Sequence, residues 1–354
     1  MISPWLFSTI ASLHARSIMS VHAFAVALLL MAASPSQAET QPQTPPSSQI
    51  DDADASSAPA EPQSQTPPAH AEGVTDLGDV QVAGERLQEQ VQSFIREATA
   101  PPRGRRLARW NRPICIGVSN MDARYAQFMI DRVTAVAQGV GIETEEPGCR
   151  PTIIVVAASD APALAKALVD DDPLGFRPAV SATDLGKASL HQFQVTDAPV
   201  RWWHVSVPVM IDTGAIAVLL TGESQPAPLG GGPPPPLMVA VRDPTRIRAN
   251  IREDLARVFI IIDVTKTGRI GFGALSDYVA MVALAQIRSD ADTSQFDTVL
   301  NLFAEGADRT AGLTQWDKDY LASLYSSRVD RARSTQQRLD IVRGMTQARD
   351  PSID

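Results

Sequence analysis

The chain has 354 residues, 44% of them apolar and 5% aromatic, with a formal net charge of −9. That acidic balance argues against a nucleic-acid partner, because neutralising phosphates takes clustered basic side chains. Five histidines and two cysteines leave little material for metal or thiol chemistry.

Ala23 to Ala33 (AFAVALLLMAA) is apolar, with His14 and Arg16 upstream and the small-x-small pattern Ser36-Gln37-Ala38 downstream. This predicts a signal peptide over 1–38, too short for a membrane span. Met19 is an alternative start, and an uncleaved anchor is the alternative fate of the segment. No later run reaches the ~18 apolar residues a span needs. The expectation is an exported bacterial protein, periplasmic or secreted, with no transmembrane span after signal removal. Residues 39–76 are rich in Pro, Gln, Ser and acid, so they read as a disordered tether that cannot bury enough surface to fold.

Residues 77–112 read as an extended segment plus a helix. Asp79 to Arg86 (DVQVAGER) alternates polar and apolar residues before Gly84, which predicts a short strand or extended docking segment. The stretch resembles one near the start of outer-membrane TonB-dependent receptors. Leu87, Val91, Phe94 and Ile95 then follow at helical spacing. The basic run Arg103, Arg105, Arg106, Arg109 and Arg112 reads as a solvated face rather than an anion site.

Residues 113–221 read as an N-terminal α/β lobe. Pro113–Val118 and Thr152–Ala158 are strands around a helix over 122–138, whose apolar face carries Tyr125, Phe128, Met129, Val133, Val136 and Val140. Such a βαβ unit places its strands parallel and adjacent. Cys115 and Cys149 lie near the two strand starts, so a disulfide is expected, the alternative being buried thiols. A short helix over 161–170 follows, and its acidic end Asp170-Asp171-Asp172 reads as exposed rather than metal-binding. Val200–Ile211 and Ala215–Leu220 predict a hairpin. Trp202, Trp203 and His204 are cleft-edge candidates; strand alternation sends one tryptophan to the core and the other to a surface or groove.

Residues 222–238 are a Pro/Gly-rich loop. In residues 239–325 the periodicity predicts a helix over 245–255, a strand over 257–263, a turn at Lys266-Thr267-Gly268 and a returning strand over 269–273. Asp263, Thr265, Thr267, Gly268 and Ile270 imitate an EF-hand opening, but Ala274 stands where the bidentate Glu is needed, so calcium is not expected. Residues 274–287 form a helix apolar nearly all round, hence buried. Phe296–Phe303 is an apolar knot, and Thr314 starts another helix with Asp317 as a capping-box acid. Residues 326–354 read as a charged helical tail.

The order of helix, Thr298-Val299-Leu300-Asn301, Leu313-Thr314-Gln315-Trp316-Asp317 and Leu324-Tyr325 resembles the metzincin clan of zinc proteases. There an active helix with H-E-x-x-H-x-x-G-x-x-H precedes a methionine-containing turn and a final helix. The resemblance implies an α/β (α+β), zincin-like domain with a mixed sheet, a central buried helix and a C-terminal helix. It places Asp277, Met281 and Ile287 at the three histidine positions, Tyr278 at the general base, Leu284 at the glycine and Leu300 at the turn methionine. No three-histidine site can be built from these residues. The implied protein has no cofactor, no metal and no catalytic residue. It binds a peptide or protein of the cell envelope at the degenerate positions, with an edge strand near Trp202. The alternatives are a hydrolase using carboxylates such as Asp263, Asp277 and Asp317, or an envelope adaptor working through 79–86.

Overall fold

The computed structural model describes residues 77–101, 105–178, 185–219, 238–241, 249–306 and 312–349. All of them belong to one compact unit, Asp76–Asp354. The expected signal peptide, tether and most of the Pro/Gly-rich loop lie outside the described residues.

Six strands form one mixed sheet in the order β1-β2-β6-β3-β4-β5. They are β1 (Ile116–Ser119), β2 (Ile153–Ala158), β3 (Val200–Met210), β4 (Ile216–Leu219), β5 (Met238–Val241) and β6 (Ile251–Asp263). β1, β2 and β6 run parallel, with Ile116 opposite Ile153 and Ile153 opposite Val258. β3 runs antiparallel to β6 along its whole length, Val200 facing Ile262 and Met210 facing Ile251. The hairpin turns back at Gly214, whose φ of 69° suits a residue without a Cβ.

Helices cover both faces of the β2-β6-β3 region. On one face lie α2 (Ala123–Gly139) and α6 (Phe272–Leu284). On the other lie α3 (Ala161–Asp171), α4 (Pro173–Phe176) and α5 (Lys187–Val195), where Phe176 stacks on Phe259 at 4.0 Å. A sheet covered on both faces needs near-continuous apolar strands, and Val258–Ile262 supplies one. α6 is wholly apolar apart from Ser276 and Asp277, and every residue from Ala274 to Leu284 is buried. α1 (Leu77–Ala98), α7 (Gln315–Ser326) and α8 (Ser334–Arg349) pack as a helical layer, in which Phe94 meets Phe296, Trp316 and Tyr320 edge-on. The charged tail thus finds its place against α7 and α1.

Four expectations are corrected. Asp79–Arg86 is not extended but belongs to α1. Val80, Leu87, Val91, Phe94 and Ala98 fit a helical period as well as the short alternation fits a strand, and a long helix wins by propagation. The helix expected over 245–255 is instead, from Ile251 on, the start of β6, while 242–248 lies outside the described residues. The strand expected over 269–273 is a turn leading into α6. Tyr125 and Phe128 leave the core, at 44% and 48% exposure, and pack on Phe272.

Cys115 and Cys149 are joined by a disulfide with Cα atoms 6.0 Å apart. It ties the entry of β1 to that of β2. Removing it as Cys115→Ala/Cys149→Ala is expected to lower the unfolding free energy by about 4 kcal/mol, the loop-closure value for this separation, in a urea titration read by circular dichroism.

Candidate functional site

The degenerate positions gather around α6, and its two ends are held in different ways. At the first, Asp277 is 2% exposed. Its carboxylate receives Nε and Nη2 of Arg132 from α2, the latter at 2.8 Å, and the backbone N–H of Leu313 at 3.0 Å. The Asp277 carboxylate therefore already has a cation and an amide as partners.

Tyr278 follows it and is buried. Its ring meets Trp202 edge-on at 6.0 Å and Phe303 at 5.1 Å. Burial pushes its phenol well above the ordinary tyrosine range, so it keeps its proton at neutral pH and cannot serve as a base. Met281 is fully buried and Ile287 is 2% exposed. Leu300 lies half-buried in the 3-10 turn Val299–Phe303. The face that carries Tyr278 is filled by apolar contact among α6, β3 and this turn.

The C-terminal end of α6 is buried, where its last carbonyls would otherwise lack partners. Met281 O accepts from the Ala285 N–H at 3.2 Å. Val282 O lies 2.7 Å from His204 Nε2, Ala283 O accepts from Trp110 Nε1 at 2.9 Å, and Leu284 O accepts from the Tyr325 hydroxyl at 2.6 Å. Just beyond, Ile287 O accepts from Trp202 Nε1 at 2.9 Å. Ring donors from β3, from the segment before β1 and from α7 close the helix end together.

The three candidates on β3 thus have separate roles. Trp202 faces α6. Trp203 faces the opposite layer and donates from Nε1 to Phe176 O at 2.7 Å. The expectation that one tryptophan reaches a surface fails because both sheet faces are covered; both are under 10% exposed. His204 is a cap.

The turn is tied to α7 by Asp317. Its carboxylate accepts from Thr298 Oγ1, from the Val299 N–H at 2.8 Å and from the Thr314 N–H at 3.0 Å, completing the expected capping box. Burial raises its pKa, and these donors oppose the rise. Asp263 instead closes its own turn, accepting from the Thr265 N–H at 3.1 Å with Lys266 Nζ 3.5 Å away. Asp263, Asp277 and Asp317 have no partner in common and form no shared carboxylate site.

The basic run is corrected at Arg106 and Arg109, while Arg112 is exposed as expected. Arg103 lies outside the described residues. Arg106 is buried, donating to Arg331 O and Ile251 O, and Arg109 donates to the carbonyls of Leu324, Tyr325 and Ser327. These cations cap chain ends rather than face solvent. Sequence reading missed Arg132, Trp110 and these arginines because their partners lie 145 to 225 residues away along the chain, at positions no local pattern marks. Tyr325 was flagged by the resemblance, but not as a cap.

Beside the Arg132–Asp277 pair an open groove of about 450 Å³ runs between α2 and α7. Arg132, Gln315 and Lys318 stand at its polar wall, over Val136, Leu313 and Leu321. Among the described residues, the three side chains best placed for a metal are Cys115, Glu145 and Cys149, and both cysteines are spent in the disulfide. No helix among the described residues is long and apolar enough to cross a membrane. No protein-family model matches the chain, nor does any curated protein or solved structure.

Two outcomes follow from this geometry. Asp317→Ala strands the Val299 N–H and frees the turn, and is expected to cost about 3 kcal/mol of stability, measured by chemical denaturation. The second concerns pH. Burial lowers the His204 pKa from 6.5 to about 4, although a helix C-terminus favours a cation. The unfolded chain therefore binds this proton first, so stability falls as pH drops from 6.5 toward about 4 and is not lost further below it, by roughly 3 kcal/mol in all. Glu253 and Asp317, with raised pKa values, act in the opposite sense. His204→Phe removes the histidine's share, so the melting temperature of the variant should depend less steeply on acid than that of the native protein over this window.

Proposed function

We propose that this chain is an exported, non-catalytic domain of zincin-like build that binds a peptide or protein in the cell envelope. What supports the build is the wiring of the residues that carry the metzincin resemblance. Asp317, from the Leu-Thr-x-x-Asp start of α7, holds the turn at Thr298 and Val299. Tyr325, from the Leu-Tyr at its end, holds the last carbonyl of α6. The strand layout fits only in part: α6 is the next element after β6 and the antiparallel β3 lies beside it, but the edge strand expected near Trp202 is interior, β3 being flanked by β6 and β4. What supports export is the signal-like start of the sequence and the disulfide, which persists in oxidising compartments.

The single observation that carries the non-catalytic reading is the state of Asp277 and Tyr278. One is neutralised by Arg132 and the other is wedged between Trp202 and Phe303. Neither thioether nor alkane at 281 and 287 can replace an imidazole on zinc. A carboxylate-based hydrolase loses support because its three candidate aspartates are each held by other groups.

Binding then falls to the groove between α2 and α7 rather than to the filled face. It combines an apolar floor with convergent polar groups, the composition of a ligand site. Lys318 favours an acidic side chain or a chain-terminal carboxylate, Arg132 being paired with Asp277 and the lining Asp319 with Arg349.

The test has two arms. Purified protein should carry less than stoichiometric zinc by plasma mass spectrometry and leave a mixed peptide substrate uncut; zinc at one equivalent with cleavage would end this reading. A displayed random-peptide library should enrich acidic-apolar sequences on the native protein. Enrichment should be lost on Ala322→Trp, which fills the groove from an exposed position. Equal enrichment on both proteins would move the site elsewhere.

A further inference from the structure

The chain leading into β1 and the loop leading into β2 are joined by backbone bonds as well as by the disulfide. Ile114 donates its N–H to Glu143 O at 2.9 Å, and Ile114 O accepts from the Glu145 N–H at 2.9 Å. The Cys115 N–H donates to Thr152 Oγ1 at 3.0 Å, and Cys115 O accepts from the N–H groups of Thr152 at 2.9 Å and Ile153 at 3.0 Å. The loop turns at Gly148, whose φ is 92°, and the Cys149 N–H donates to Glu146 O at 3.2 Å. These bonds hold the backbone on either side of the sulfurs without help from the S–S link.

They bring three metal-ligating side chains to one point. A carboxylate oxygen of Glu145 and the sulfurs of Cys115 and Cys149 all lie within 4.8 Å of one another. Two donors on a tetrahedral zinc, with bonds of about 2.0–2.3 Å, stand roughly 3.3–3.8 Å apart, so side-chain rotation suffices to close these three on an ion once the sulfurs are separate. Cys115 is 2% exposed, Cys149 is half-buried and Glu145 is exposed, so the cluster opens to solvent on its loop side. The other charged residues of the two segments, Glu143 and Glu146 against Arg112 and Arg150, balance in number. While the disulfide stands, the sulfurs carry no charge and hold no ion.

We infer that Cys115, Cys149 and Glu145 form a zinc site that becomes available when the disulfide is reduced by a dithiol. A thiolate of the dithiol attacks the sulfur of Cys149, the more exposed of the two, and Cys115 leaves as a thiolate. The second sulfur of the dithiol then attacks the mixed disulfide and releases Cys149. Two electrons and two protons pass to the chain, and the dithiol ends as its own disulfide. Zinc displaces the two thiol protons and takes two sulfurs, one Glu145 oxygen and a water, a donor set that selects zinc over calcium or magnesium. The ion so held links the entries of β1 and β2 again, in place of the broken bond. This site shares no residue with α6 or with the α2–α7 groove and does not depend on the zincin-like reading.

The experiment uses the full chain, reduced with dithiothreitol, desalted without oxygen, and titrated with cobalt(II) and then with zinc. One equivalent of cobalt is expected to bind, with a thiolate-to-cobalt charge-transfer band that zinc abolishes; the oxidised chain should show neither. The band should be lost in Cys149→Ser. Glu145→Gln, at an exposed position that leaves the disulfide able to form, should weaken binding at least tenfold, and Glu143→Gln in the same loop should leave it unchanged. Zinc at a hundredfold excess over its dissociation constant should raise the melting temperature of the reduced chain by about 5 °C and leave that of Cys115→Ala/Cys149→Ala where it was. No binding by the reduced chain, binding that persists in Cys149→Ser, or equal affinity in Glu145→Gln and the native chain overturns the inference.

Discussion

A buried helix end is an unsolved hydrogen-bonding problem until something donates to it. In this protein the problem is acute, because α6 is apolar on every side and ends inside the molecule. The solution is a set of aromatic N–H and O–H groups arriving from three directions. Each brings a large apolar body along with its single donor, so packing and hydrogen bonding are satisfied by the same side chain. Trp110, His204 and Tyr325 each anchor a different part of the chain to one helical turn. The rest of the architecture is arranged to deliver them: β3 is placed beside β6, the segment before β1 crosses under α6, and α7 ends where Tyr325 can reach back.

The arginines extend the same solution to other chain ends. Arg109 serves the carbonyls at the end of α7, and Arg201 donates to the carbonyls of Phe193, Gln194 and Thr196 at the end of α5. A guanidinium is suited to this because it offers several donors in a plane and stays charged even when burial depresses its pKa, as it does for both. Glycine caps with left-handed geometry, the common alternative, do not end α6 or α7: the residues after them, Ala285 and Ser327, are extended. Side chains distant in sequence supply the missing donors instead.

This explains which parts of the structure could be read from the sequence. The βαβ unit, the disulfide, the buried character of 274–287 and the Thr314–Asp317 box were all legible, since each rests on spacing within one segment or on two adjacent ones. The ambiguous stretches were those where two periods fit, as at 79–86, or where a strand carries charges, as at 251–257, whose polar residues suggested a helix. Arg252, Glu253 and Asp254 stay in a strand because Arg105, Arg252 and Asn111 pair with the carboxylates there. For the candidate site, the sequence marked 274–287 as a buried helix and 298–301 as a turn but could not show that the face between them is filled. Closure depends on Arg132 and Phe303 meeting Asp277 and Tyr278, and no local pattern encodes such meetings.

The neighbouring indoles of β3 have one more consequence. Successive residues of a strand look to opposite sides, so Trp202 and Trp203 sit in separate layers while sharing a peptide bond. One reports on α6, the other on α4 and α5. A disturbance confined to a single layer therefore loosens the packing and hydrogen bond of one indole while those of its neighbour stay in place.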